Sequence, residues 1–284
     1  MAYLSPEKNN VRQPDPEARP YDTQPMAYRL WDGASPMGYL RFALRLALLV
    51  TALIFCIPFY YIWRILRLSN PWPRTFLKIA AFACGARVNI VGTPIRRDVF
   101  FISNHLSWVD IAILGGHSGT AFVSKEEIGK WPIIGWLCRL NDTVFVSRSD
   151  RMGIAQQINQ LRDALEETWA ITIFPEGTTT DGSMLLPFKA PLLKVLEPPP
   201  PGIMVQPIFL NYGDHAHEIS WTGEESAPLN AWRLLTRRRS FLVEVHFLEP
   251  FDPDHYSSRK DIAAEARRRI AEPLSASLGG KPIV

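Results

Sequence analysis

The segment from residue 99 to residue 110 determines the fold class and reads Val99-Phe100-Phe101-Ile102-Ser103-Asn104-His105-Leu106-Ser107-Trp108-Val109-Asp110. Its first four residues are apolar and either aromatic or β-branched, which is typical of a strand buried on both faces. The spacing Ser107-x-x-Asp110 is that of a helix capping box, which predicts a helix starting at Ser107. The segment is therefore a strand, a short polar loop and a helix, the building unit of an α/β fold.

Short β-rich runs and helical stretches keep alternating from residue 86 to residue 284. The predicted strands are 87–91, 99–103, 120–123, 143–147, 170–174, 203–210 and 241–247, and the predicted helices lie near 108–114, 152–168, 189–196 and 261–271. This alternation predicts an α/β domain over residues 86–284, with a mostly parallel central sheet flanked by helices.

An N-terminal helical membrane motif is predicted over residues 37–85. The run 46–62 contains no charged residue, and its seventeen residues are at the lower limit for a membrane-spanning helix. Pro58 is predicted to kink or break this helix. A second, mostly apolar stretch covers residues 76–84. Two anchors fit, a single short span or a kinked helix with a second helix in one leaflet, while a buried core helix of a soluble domain is the third interpretation.

Composition and charge indicate the surroundings in which the domain works. Residues 1–36 combine several prolines with charges and amides, which predicts a disordered tail. The net charge of +3 is too small to indicate nucleic-acid binding, but it suits a face resting on anionic lipid. The three cysteines are widely spaced without a metal-ligand pattern, so we interpret them as reduced packing residues and expect no metal site.

His105 and Asp110 are the first candidates for chemistry, because ligands bind at the carboxyl ends of strands in open α/β sheets. Residues five apart on a regular helix point about 140° away from each other. The two side chains can therefore meet only if His105 precedes the helix and Asp110 lies in its first turn. A carboxylate on the far imidazole nitrogen would make His105 a general base. The alternative is that Asp110 only caps the helix and His105 is a surface histidine, and the pair alone does not decide between them.

Two further strand ends carry polar residues. The strand 170–174 is followed by Glu176-Gly177-Thr178, where Gly177 permits a positive φ and Thr178 offers a hydroxyl and an amide to an anion. The strand 143–147 is followed by Arg148, whose planar guanidinium suits a phosphate. Three strand ends thus present a base, an anion-binding turn and an arginine, and together they predict a substrate site.

Four blocks carry a resemblance to a known family. They occur in order as Asn104-His105 to Asp110, Val144-Phe145-Val146-Ser147-Arg148, Phe174-Pro175-Glu176-Gly177-Thr178 and Val205-Gln206-Pro207-Ile208. In these blocks, which lie between about residues 75 and 250, the chain resembles the glycerolipid acyltransferase family of lysophosphatidate acyltransferases. That family also carries an N-terminal helical membrane motif, which matches residues 40–85.

The resemblance implies a reaction and a site. His105 would deprotonate the free hydroxyl of a lysolipid and Asp110 would orient His105. The alkoxide would attack the thioester of acyl-CoA or acyl-carrier protein directly, with no acyl-enzyme, no metal and no cofactor. The residues implied to bind substrate are Asn104, Ser107, Arg148, Glu176, Gly177 and Thr178. The enzyme would work at the inner membrane, and positive charge beyond the apolar run favours a catalytic domain on the cytoplasmic side.

The acceptor is less well determined. The first choice is 1-acylglycerol-3-phosphate, giving phosphatidate. However, the residues Thr179-Thr180-Asp181-Gly182 and Lys189-Ala190-Pro191 depart from the pattern of many phosphatidate-forming members by carrying fewer positive charges. Val205-Gln206-Pro207 and Trp232-Arg233-Leu234 are similar to the bacterial branch that acylates lyso-ornithine lipid, which is the alternative acceptor. A non-catalytic membrane lipid-binding protein is the alternative of another class, and such a protein is expected to lose the base or its carboxylate.

Overall fold

The computed structural model of the chain describes residues 35–146, 170–223, 225–280 and 283. The predicted tail falls almost entirely outside these residues, as do the predicted helix 152–168 and Arg148. Over the described residues the strands are β1 (Ala86–Val91), β2 (Val99–Ser103), β3 (Ala121–Lys125), β4 (Val144–Val146), β5 (Ala170–Ile173), β6 (Met204–Asn211) and β7 (Phe241–Phe247). All seven predicted strands are confirmed, with shifts at their ends.

The described strands form one sheet in the order β1-β7-β6-β2-β5-β3-β4. Strands β6, β2, β5, β3 and β4 run parallel, while β7 is antiparallel to β6 and parallel to β1. The prediction of a mostly parallel sheet is confirmed, with one antiparallel junction. Strands β2 and β5 are buried along their whole length, which explains why they are mostly apolar and contain no charged residue.

Helices cover both faces of the sheet. In the described residues they are α1 (Pro36–Ile65), α2 (Trp72–Ala83), α3 (Val109–Ser118), α4 (Glu126–Gly129), α5 (Pro132–Leu140), α6 (Ala216–Ile219), α7 (Ala227–Thr236) and α8 (Arg259–Ser277), with 3-10 helices at Ala190–Leu196, Gly213–His215 and Pro253–His255. One apolar cluster includes residues of α2, α3 and α7, and a second includes residues of α8 and the 3-10 helix Ala190–Leu196.

Helix α1 corrects the prediction of a break at Pro58, while a kink there stays a prediction. It continues through Pro58 without a break, because proline removes a single hydrogen bond and packing supports the helix on both sides, where Cys56 and Tyr60 are buried. Among the described helices, α1 is long and apolar enough to cross a membrane, judged by length and composition. The apolar stretch predicted at 76–84 is part of α2.

Candidate active site

His105 and Asp110 meet in the geometry that their spacing requires. His105 lies in the loop after β2, Asp110 lies in the first turn of α3, and 2.7 Å separate His105 Nδ1 from Asp110 Oδ2. The prediction that the histidine precedes the helix is confirmed. The predicted helix start at Ser107 is wrong, since α3 begins at Val109. The loop 105–107 instead winds around the Asp110 carboxylate, which delays the first helical residue.

The carboxylate of Asp110 is fully buried and surrounded by donors. Besides His105, its Oδ2 accepts the main-chain amides of Leu106 at 2.7 Å and Ser107 at 2.9 Å. Its Oδ1 accepts the phenol of Tyr212. These contacts hold the carboxylate in one orientation, so Oδ2 faces the imidazole and a negative charge lies beside its Nδ1.

The imidazole of His105 is fixed from a second direction. Its ring stacks on Phe174, with centroids 4.0 Å apart and planes 18° from parallel, and 17% of its side chain is exposed. Because Asp110 Oδ2 accepts three hydrogen bonds, the proton of the neutral ring belongs on Nδ1. Within the described part of the chain Nε2 makes no hydrogen bond, so a lone pair is open to an incoming hydroxyl proton.

Glu176 connects the turn after β5 to the loop of His105 after β2. Its Oε1 accepts the main-chain amide of His105 at 3.0 Å and its Oε2 accepts that of Leu186 at 2.9 Å. The amide of Thr180 donates to the carbonyl of His105 at 2.8 Å, so His105 is held through both its main-chain groups. Burial raises the pKa of Glu176 to about 8 against the lowering effect of the two amides. Glu176 therefore holds the main chain of His105 and ties it to the segment at Leu186.

Of the other residues implied to bind substrate, Arg148 lies outside the described residues, and the remaining four belong to the loop after β2 or to the turn after β5. Asn104 is buried and pairs with both main-chain groups of Leu210, which ties the end of β2 to β6. The hydroxyl of Ser107 is buried and has no partner within the described residues, so it does not cap α3 as the capping box predicted. Gly177 has a φ of 69°, which confirms the predicted positive φ, and Thr178 is exposed beside it. Their roles in substrate binding stay predictions.

Residues that sequence reasoning did not select complete the site. Tyr212 directly follows β6, the strand that pairs with β2, and Phe174 follows β5 on the other side. Their position after a strand could have indicated them, because the carboxyl ends of parallel strands lie at the same edge of the sheet.

The described residues offer no group of three His, Cys, Asp or Glu side chains that could hold a metal ion.

Comparison with known proteins identifies the family. The family model described as Acyltransferase matches residues 87–211. Lyso-ornithine lipid O-acyltransferases of Rhizobium meliloti and Brucella abortus are each 31% identical to this chain, over 86% and 87% of it and over 89% and 98% of their own length. The 1-acyl-sn-glycerol-3-phosphate acyltransferase of Neisseria gonorrhoeae is 27% identical over 68% of this chain and 78% of its own.

A solved structure shares the fold. The crystal structure of the 1-acyl-sn-glycerophosphate (LPA) acyltransferase from Thermotoga maritima aligns with a TM-score of 0.54 and 21% identity, over 86% of this chain and 98% of that one. The relatives are named acyltransferases, which sets aside the non-catalytic alternative. With its fold, its histidine–aspartate pair and its relatives, the chain belongs to the acyltransferase family and is a lipid O-acyltransferase.

Proposed function

We propose that the protein transfers a fatty acyl group from an acyl thioester to the free hydroxyl of lyso-ornithine lipid, with His105 as general base. The observation that carries this proposal is the 2.7 Å contact between His105 Nδ1 and Asp110 Oδ2, with Nε2 open on the other side of the ring. A general base that takes the proton from the acceptor hydroxyl makes that hydroxyl the nucleophile. The protein then needs no nucleophilic side chain.

The proposed reaction follows from this geometry. His105 Nε2 takes the proton of the acceptor hydroxyl while its oxygen attacks the thioester carbon, and the Asp110 carboxylate stabilises the imidazolium. The new ester C–O bond forms and the C–S bond breaks. The proton then passes from Nε2 to the leaving sulfur, which restores the neutral imidazole.

Two observations favour lyso-ornithine lipid over lysophosphatidate, which the sequence motifs ranked first. The relatives named lyso-ornithine lipid O-acyltransferases are 31–33% identical, against 27% for those named 1-acyl-sn-glycerol-3-phosphate acyltransferases. Residues 179–188 contain Asp181 and no lysine or arginine. Asp181 directly follows Thr180, whose amide holds the His105 carbonyl. Ornithine carries a cationic amine, so an aspartate near the base suits it better than it suits a phosphate.

We expect the purified protein to use lyso-ornithine lipid with a kcat/KM at least about tenfold above that for lysophosphatidate, the factor that about 1.4 kcal/mol of differential transition-state binding supplies. The assay supplies each acceptor in turn with a labelled acyl group on coenzyme A and on acyl-carrier protein, which also identifies the donor. A higher kcat/KM for lysophosphatidate would overturn the acceptor while leaving the reaction type intact.

We further propose that α1 lies along the domain with its outer side in one leaflet of the inner membrane, so that the catalytic domain faces the cytoplasm. The helix is about 45 Å long at 1.5 Å per residue. Near its start, Phe42 packs on Trp232 at 4.6 Å and Arg45 donates to the Leu234 carbonyl at 3.0 Å. Near its end, Phe59 stacks on Trp72 of α2 at 4.8 Å.

This fastening argues against a simple span, because α1 is bound to α7 near its start and to α2 near its end, and α2 is itself tied to α3 through Arg74, which donates to the carbonyls of Gly116 and His117. The exposed side chains of α1 and α2 are largely apolar and include Leu44, Ile54, Ile62, Ile65 and Phe82, with Arg64 and Lys78 among the exposed charged ones. Arg41 and Arg45, which precede the apolar run, donate to the last carbonyls of α7, where cations are favourable.

Epitope tags placed before residue 1 and after residue 284 test the arrangement. We expect protease to remove both tags from inverted inner-membrane vesicles and neither tag from intact spheroplasts, because a helix lying in one leaflet keeps both termini on the cytoplasmic side. Tags on opposite sides of the membrane would establish a span. Removal of both tags from spheroplasts would place the domain on the outer side.

A further inference from the structure

Tyr212 is buried at the carboxyl end of β6 and has its phenol directed at the site. Its hydroxyl donates to Asp110 Oδ1, the carboxylate oxygen that does not face the imidazole. The two-point pairing of Asn104 with Leu210 places this tyrosine beside the loop of His105. The ring of Phe241 packs against the tyrosine ring, with centroids 5.8 Å apart.

The hydrogen bonds around Asp110 divide into two groups. At Oδ2, two main-chain amides and the imidazole donate, and the amides are present whatever side chains surround them. At Oδ1, the donor among the described residues is the phenol of Tyr212. Besides the imidazole, the phenol is therefore the side-chain donor in this set through which a substitution can change the charge that the carboxylate presents to the ring.

We propose that Tyr212 is a positioning residue of the reaction, which acts through Asp110 to set the basicity of His105 and the orientation of its ring. By donating to Oδ1, the phenol draws charge away from Oδ2. The Nδ1 proton then stays on the ring. The imidazolium is stabilised less strongly than it would be by a carboxylate without the phenol, so it can still give its Nε2 proton to the leaving sulfur. This proposal rests on the proposed role of His105 as the base.

The surroundings of the phenol keep it a donor. Burial raises the pKa of Tyr212 well above its usual value, and the negative charge of Asp110 raises it further. Within the described residues, the ionisable groups near this network include Glu176, from the turn after β5, and Cys84, just after α2. The cations Arg267 of α8 and Arg45 of α1 act in turn on Glu176 and on Cys84. Burial raises the pKa of Cys84 to about 12, so this thiol stays neutral and does not compete for the phenol proton.

Replacing Tyr212 with phenylalanine tests the proposal. Without the phenol, Oδ2 becomes more basic and holds the imidazolium more strongly, so His105 stays protonated to higher pH. We expect the acid limb of kcat/KM against pH to move upward by about one unit, the shift that a lost hydrogen bond of ordinary strength produces. We also expect kcat at neutral pH to fall about tenfold with KM changed less than about twofold, because the lost group does not contact the acceptor.

Two comparisons separate positioning from folding. Tyr256→Phe removes a phenol that packs on Phe251 away from the site, and its acid limb should match that of the wild type. Incorporation of 3-fluorotyrosine at position 212 gives a more acidic donor of nearly the same size, so the limb should move downward instead. This second variant keeps the test decisive if Tyr212→Phe does not fold.

The experiments distinguish failure of the proposed role of Tyr212 from failure of the proposed role of His105. An unmoved acid limb in both position-212 variants, with His105→Ala inactive, would overturn the role of Tyr212 and leave the base in place. Full activity of His105→Ala would overturn the base itself. Opposite shifts of the limb for phenylalanine and fluorotyrosine would support the coupling through Asp110.

Discussion

Replacing His105 with alanine is expected to lower kcat for acyl transfer by about 10²- to 10⁴-fold, the range that a positioned general base supplies. The protein should still fold and associate with the membrane, because the main-chain amide and carbonyl of His105, which Glu176 and Thr180 hold, are kept in the variant. The measurement is the initial rate of labelled acyl transfer to lyso-ornithine lipid in purified protein, compared at equal folded concentration.

His217→Ala is the matched control for this variant. His217 is exposed on α6, so its removal should leave kcat within about twofold of the wild type, as expected of a surface substitution away from the site. A His105→Ala enzyme with the activity of His217→Ala would contradict the assignment of the base.

Asp110→Asn is the second large effect, with an expected fall in kcat of about 10²- to 10³-fold, because the imidazolium loses its charged partner. The structure also predicts how the amide orients. The main-chain amides of Leu106 and Ser107 require an oxygen at the Oδ2 position, so the NH₂ group should face Tyr212, whose hydroxyl can turn to accept from it.

This orientation makes the pH profile informative. With oxygen still facing Nδ1, His105 keeps its tautomer but loses the stabilising charge. Its protonated form becomes less favourable, and the acid limb should move to lower pH. That direction is opposite to the one expected for Tyr212→Phe. Asp214→Asn, in an exposed 3-10 helix, is the control. Wild-type kcat in Asp110→Asn would show that the carboxylate is only structural.

The contrast between Gly177 and Ser107 indicates which parts of the site were predictable. A glycine in a turn after a buried strand predicts a positive φ from local sterics alone, and the structure has it. The capping box predicted at Ser107 forms only in part: Asp110 Oδ2 accepts the Ser107 amide, as that motif requires, while the Ser107 hydroxyl has no partner within the described residues. The glycine conformation depends on local sterics and was predictable, whereas the surroundings of the buried hydroxyl depend on tertiary packing and were not.

Pro58 and Tyr212 show that contacts between residues far apart in the chain could not be predicted from the local sequence. A proline inside a helix costs a hydrogen bond in any sequence, but whether the helix breaks depends on what packs against it, and here α2 and the buried Cys56 support it. Tyr212 lies 102 residues from Asp110 in the chain. Only the pairing of β6 with β2 brings the two side chains together.

The strands, their largely parallel arrangement and the placement of His105 before the helix that contains Asp110 could all be predicted from the sequence. These features follow from hydrophobic periodicity and from the 3.6-residue turn, which act over a few residues. The tertiary structure alone decided the rest: Glu176 and Thr180 clamp the main chain of His105, Phe174 stacks on its ring, and the phenol of Tyr212 reaches the far oxygen of the carboxylate. Those contacts join residues from different strands, and strand order is set by burial of the whole sheet rather than by any local pattern.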